Sequence, residues 1–98
     1  LDRYSVLVRE GDARRDKGDY SGAKRKYLAA REVLQNADIE ERIKDAEYQQ
    51  LLSSARAYVE AEQWTAARAQ VILALQIHNT EAGQTLLAQI DGKLNAIR

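Results

Sequence analysis

A shift of 44 residues brings this chain into register with itself, and that period constrains the fold more than any short motif does. Tyr4 falls on Tyr48, Leu7 on Leu51, Val8 on Leu52 and Gly11 on Ala55. Further along, Tyr20 falls on Trp64, Ala23 on Ala67, Tyr27 on Val71 and Ala30 on Ala74. Large residues recur where each segment begins, and small residues recur at the same inner positions. Small side chains at Gly11/Ala55, Ala23/Ala67 and Ala30/Ala74 let two helix axes approach closely, while the large residues clamp the pair.

The spacing of apolar residues is helical almost throughout, and it predicts five helices. The first covers about residues 3–16, with Tyr4, Leu7, Val8 and Gly11 on one face. Lys17-Gly18-Asp19 then reads as a stop and a turn, because glycine tolerates the left-handed conformation after a helix end. The second helix covers about 20–35, with Ala23, Tyr27, Ala30 and Leu34 as its stripe. Asn36-Ala37-Asp38 reads as the next turn, with Asp38 as N-cap and Glu41 completing a capping box. The third covers about 39–61, roughly 35 Å at 1.5 Å per residue, and carries Ile43, Tyr48, Leu51, Leu52, Ala55, Tyr58 and Val59. Glu62-Gln63 ends it without a glycine. The fourth covers about 64–78, with Trp64, Ala67, Val71, Ala74 and Leu75 inward. Asn79-Thr80 offers a cap for a fifth, about 81–97, carrying Ala82, Leu86, Leu87, Ile90, Leu94 and Ile97. The chain has no proline and 16 alanines, a composition that suits closely packed helices. No Pro/Gly/Ser-rich linker divides it, so residues 1–98 read as one domain.

This arrangement resembles the tetratricopeptide repeat. Leu7 and Gly11 match the large-then-small pair of the family's first helix. Gly18-Asp19-Tyr20, Ala23, Tyr27 and Ala30 match its turn and second helix. In the second copy the matching residues are Leu51, Ala55, Tyr58, Trp64, Ala67, Val71 and Ala74. The resemblance implies an all-α, antiparallel helix-turn-helix array of the right-handed solenoid type. It would hold repeat 1 at about 3–35, repeat 2 at about 38–79 and a C-terminal capping helix at about 80–97. It departs from the family in three ways. The copies lie 44 rather than 34 residues apart, the extra ten falling around Asn36–Glu47. The repeat-terminal prolines are missing, with Asn79 at the second position. Two copies are also fewer than an array of this kind usually needs. With the start at Leu1 rather than Met, this leads us to expect a piece of a longer protein, or one that pairs with a second copy of itself.

Composition narrows the function. Fifteen basic residues balance fifteen acidic ones, which argues against a nucleic-acid or membrane-surface binder acting by bulk charge. There is no cysteine, hence no disulfide or thiolate metal site, and the single histidine cannot form a two-histidine site. No apolar run approaches a membrane span and no signal-peptide pattern opens the chain. The compartment is unknown; the lack of cysteine fits cytoplasm or periplasm. No residue cluster reads as catalytic, so no cofactor or metal is expected and the chain reads as a non-enzyme. His78 at the end of the fourth helix reads as a surface or capping residue. Ser21 and Ser53-Ser54 read as surface or cap hydroxyls, and Glu40-Glu41 point in different directions on a helix. Gly18 and Gly22 lack the Lys-Ser/Thr ending of a phosphate loop.

The resemblance implies a concave groove lined by the first helix of each pair. Its residues here would be Ser5, Val8, Arg9, Asp12 and Arg15, then Gln49, Leu52, Ser53, Arg56, Val59 and Glu60. That is a mixed surface, suited to a peptide or protein segment. The Lys/Asn carboxylate clamp of chaperone-binding members is absent, since Val8 and Asp12 stand at its positions. The expected function is a protein–protein interaction or scaffold module. The alternatives are an oligomerisation element, held by an apolar stripe on the third or fifth helix, and an anion or nucleic-acid binder. Charge bears on the last. A basic stretch (Arg14, Arg15, Lys17, Lys24, Arg25, Lys26, Arg31) precedes an acidic one from Glu32 to Glu47. These could meet an anionic partner, associate head to tail, or pair within the molecule; the third is the simplest. Tyr20 and Tyr27, the aromatics within the basic stretch, lie on the buried stripe, so a base-stacking platform is missing.

Overall fold

The computed structural model describes residues 2–97, and all regular secondary structure among them is α-helical. The helices are α1 (Arg3–Asp16), α2 (Tyr20–Val33), α3 (Ala37–Glu60), α4 (Trp64–Ile77) and α5 (Glu81–Ala96). No helix among the described residues is long and apolar enough to cross a membrane. The chain divides into two compact units, Leu1–Glu47 and Tyr48–Arg98. The division falls inside α3, so each unit holds a helical hairpin and one further helical segment.

The 44-residue period extends to individual hydrogen bonds. After α1 the Asp19 N–H donates to the Arg14 carbonyl (2.9 Å) and the Gly18 N–H to the Arg15 carbonyl (2.9 Å). After α3 the Gln63 N–H donates to the Tyr58 carbonyl (2.9 Å) and the Glu62 N–H to the Val59 carbonyl (3.0 Å). Both are the paired bonds of a Schellman turn, which needs a left-handed residue. Gly18 supplies it at φ 81° and Glu62 at φ 60°. Glycine is therefore dispensable in the second turn, which explains why that boundary carried so little signal.

The next junction also repeats. The Asn36 side chain accepts from the Ile39 N–H at 2.9 Å and donates to the Tyr4 hydroxyl at 2.9 Å. Forty-four residues on, the Thr80 hydroxyl accepts from the Gly83 N–H at 3.1 Å and bonds the Tyr48 hydroxyl. Each first-helix tyrosine is thus tied to the cap of the helix that follows the hairpin. Asn36, not Asp38, caps α3, because its side-chain oxygen reaches the free N–H three residues on. Asp38 lies within the first turn and pairs with Arg42. α2 ends at Val33 and α4 at Ile77, each a residue or two earlier than the apolar pattern suggests. Leu34 and His78 have left the helix for extended backbone, with φ of −154° and −139°.

In the first unit α1 and α2 run antiparallel. Tyr4 meets Asn36 beyond the end of α2, Lys26 pairs with Glu10, and Arg14 pairs with Asp19 before its start. Ala23, Tyr27, Ala30, Ile39, Ile43 and Ala46 form the core, with Tyr4, Leu7, Val8 and Leu28 packed on it. In the second unit Ala55, Ala67, Val71 and Ile90 form one cluster, and Tyr48, Leu52 and Ala74 another. Equivalent positions bury alike: Ala23 and Ala67, Tyr27 and Val71, Ala30 and Ala74, Ala46 and Ile90 are all fully buried. The residues around Asn36–Glu47 are therefore the first half of α3, and α5 occupies the same place in the second unit. The extra ten residues and the last helix are one element seen twice.

Candidate functional site

The candidate groove residues fall into two sets, one on α1 and one on the second half of α3. Within the α1 set, Arg9 is exposed. Ser5 is half-buried and takes part in capping: its N–H donates to Asp2 at 2.8 Å and its hydroxyl at 3.1 Å. Val8 packs against the core of the first unit. Arg15 pairs with Asp16 at 3.2 Å and with Asp12 at 3.4 Å.

Asp12 is the centre of a polar cluster rather than a free ligand group. Its carboxylate accepts from the Tyr27 hydroxyl at 2.5 Å. Arg42, on α3, donates to it through Nε at 3.1 Å and Nη2 at 3.2 Å, a bidentate grip. Burial pushes the Asp12 pKa up, but the bonds from Arg42 and Tyr27 and the charges of Arg42 and Arg15 outweigh it and hold it below the ordinary value. The Tyr27 phenol is pushed up to about 12, first by burial and then by the bond to Asp12 and its negative charge. The sequence placed Tyr27 inside correctly. It could not show that Arg42, thirty residues on, closes the bond that lets Asp12 sit against it.

In the second unit the same positions hold Arg56, Val71 and Leu86. Val71 is fully buried, Leu86 packs on the apolar clusters and Arg56 is exposed. Tyr27 and Arg42 give way to the apolar Val71 and Leu86, and the third position, Arg56, is exposed to solvent, so no polar partner is left buried alone. In the α3 set, Ser53, Arg56 and Glu60 are exposed and Gln49 is half-buried. Val59 packs on the cluster around Ala55. Leu52 is 2 % exposed, packed with Tyr48 and Ala74, so it is core and cannot line a surface. The adaptable part of the set is therefore Arg9, Ser53, Arg56 and Glu60.

Two ion pairs join the oppositely charged stretches. Lys24 reaches Glu47 at 3.7 Å and Arg31 reaches Glu40 at 3.0 Å, both from α2 to α3. The first of these repeats as Arg68–Asp91 at 2.7 Å. His78, at the C-cap of α4, packs edge-on against Tyr48 with ring centroids 5.5 Å apart. Lys93 lies over the Trp64 ring at 6.0 Å, a cation–π contact on the rim of the second unit. No protein-family model, curated protein or solved structure matches this chain.

Proposed function

We propose that this chain is a non-catalytic protein–protein interaction module of the tetratricopeptide-like kind. In this reading the first helix of each pair presents residues to a peptide or protein segment. The observation that carries it is the 44-residue repetition of hairpin, turn and cap, down to the bonds Tyr4–Asn36 and Tyr48–Thr80. Repeated hairpins that bury small residues between their helices are the building principle of helical interaction arrays. Arg9, Ser53, Arg56 and Glu60 support it further, being exposed and free of ion pairs among the described residues. A display library of random dodecamer peptides selected on the full chain tests the proposal. Selected peptides should lose about tenfold in affinity with Arg9→Ala/Arg56→Ala, while the helical circular dichroism stays unchanged. Failure to select any peptide, or selected peptides indifferent to both changes, would count against it.

A second reading is self-association. Tyr58 is 36 % and Leu73 46 % exposed in the second unit. The apolar residues of α5 (Leu86, Leu87, Ile90 and Leu94) are packed within their own unit, so Tyr58 and Leu73 are the better candidates. A concentration-dependent sedimentation coefficient that Tyr58→Ser/Leu73→Ser abolishes would favour this reading.

A further inference from the structure

The cleft between α1 and α2 holds about 470 Å³ and is ringed by Arg3, Arg14, Arg25 and Lys26 over a floor that includes Leu7 and Ala29. Two of these cations are occupied: Arg14 pairs with Asp19 at 3.0 Å and Lys26 with Glu10 at 3.5 Å. Arg3 and Arg25 are exposed and make no ion pair among the described residues. The fold does not require this charge. Forty-four residues on, the matching positions hold Glu47, Tyr58, Ala69 and Gln70, the last three in the second unit, and α4 forms with the same length as α2. A concentration of cations that one unit carries and its structural twin lacks calls for an explanation outside the core.

Its spread selects the ligand. Lys26 pairs with Glu10, which sets its neighbour Arg25 about level with Glu10, seven residues and about 10 Å along α1 from Arg3. No single phosphate or carboxylate bridges that distance, whereas an extended peptide of about three residues does, at roughly 3.3 Å per residue. Guanidinium groups grip carboxylates through two parallel bonds, and the apolar floor accepts the stems of acidic side chains. Single-stranded nucleic acid would also need exposed aromatic faces, but Tyr27 is fully buried and no aromatic ring lines the cleft. We propose that the α1–α2 cleft of the first unit docks an extended acidic peptide segment, on a surface other than the groove proposed above.

Fluorescence anisotropy of labelled hexaglutamate against the full chain at low salt tests this. Hexaglutamine serves as the neutral control and a thymidine dodecanucleotide as the competing polyanion. Hexaglutamate should bind and hexaglutamine should not. Arg3→Gln/Arg25→Gln should weaken binding about tenfold, whereas Lys44→Gln/Lys93→Gln, which removes the same charge elsewhere, should change it less than about twofold. If the first double variant loses helical signal, Arg25→Gln alone should still weaken binding severalfold. The proposal is overturned if hexaglutamate does not bind, if both double variants weaken it equally, or if the oligonucleotide binds through Arg3 and Arg25 and hexaglutamate does not.

Discussion

Asp12 gathers Tyr27, Arg42 and Arg15 onto one carboxylate, and its replacement is the sharpest single-residue perturbation of the first unit. Asp12→Asn should cost about 1–2 kcal/mol in urea unfolding, allowing for its partial exposure. Because its folded pKa lies below the ordinary 3.8, the carboxylate stabilises the fold above the unfolded-state value. That contribution is lost as pH falls through the folded value, so Asp12→Asn should flatten the acid limb of stability below about pH 4. Tyr27 has the opposite sign: its stabilisation is complete below its ordinary value of 10.0 and is lost as pH rises through about 12. Near-ultraviolet phenolate absorbance should therefore show a late Tyr27 step that Tyr27→Phe removes; an unchanged titration in that variant would refute the assignment. Beside Tyr27 stands Gly11, where a Cβ would lie 2.5 Å from the ring's Cε1. Gly11→Ala should thus cost about 1–3 kcal/mol by overpacking. The second unit tolerates Ala55 at that place because Val71 replaces the ring. Tyr27 and Gly11 were legible from the apolar stripe, whereas Asp12 looked like an ordinary solvated groove residue because its partner lies on another helix.

Helices α1 and α2 could be bounded closely from Gly18-Asp19 and the apolar spacing, since a left-handed glycine is written in the sequence. The end of α3 could not, because Glu62 takes the same conformation without being glycine. That choice stores strain: a side chain in the left-handed region is disfavoured by about 1 kcal/mol. Glu62→Gly should raise the thermal midpoint measured by circular dichroism, and Gly18→Ala should lower it. Unchanged midpoints in both would contradict the equivalence of the two turns. The sequence sets the start of α3 two residues late because Asp38 and Glu41 imitate a capping box. Asn36 wins by bonding both the Ile39 N–H and the Tyr4 hydroxyl. Asn36→Ala should accordingly cost about 1–2 kcal/mol, with Tyr4→Phe removing part of the same energy rather than adding to it.

Across the whole molecule, one backbone plan is executed with two sets of side chains. The matched turns, caps, tyrosine bonds and the Lys24–Glu47 and Arg68–Asp91 pairs define the plan. Polar packing at Asp12, Tyr27 and Arg42 is exchanged for Arg56, Val71 and Leu86, and the cations Arg3, Arg14, Arg25 and Lys26 for Glu47, Tyr58, Ala69 and Gln70. The period itself was visible in the sequence through Tyr4/Tyr48 and Gly11/Ala55. That α5 repeats the first half of α3 was not, because Ile39, Ile43 and Ala46 are matched only loosely by Gly83, Leu87 and Ile90. Ile39 and Gly83, and Ala46 and Ile90, are buried alike, which becomes apparent only in three dimensions. If the two units are the same structure, the second unit's solution must work in the first when moved as a set. The decisive measurement is the urea unfolding free energy of Gly11→Ala/Asp12→Arg/Tyr27→Val/Arg42→Leu beside the four single variants. The combined chain should fold with wild-type helical signal and lie within about 1 kcal/mol of wild type, far less destabilised than the summed singles. A combined variant that is unfolded, or as unstable as that sum, would contradict the equivalence of the two units.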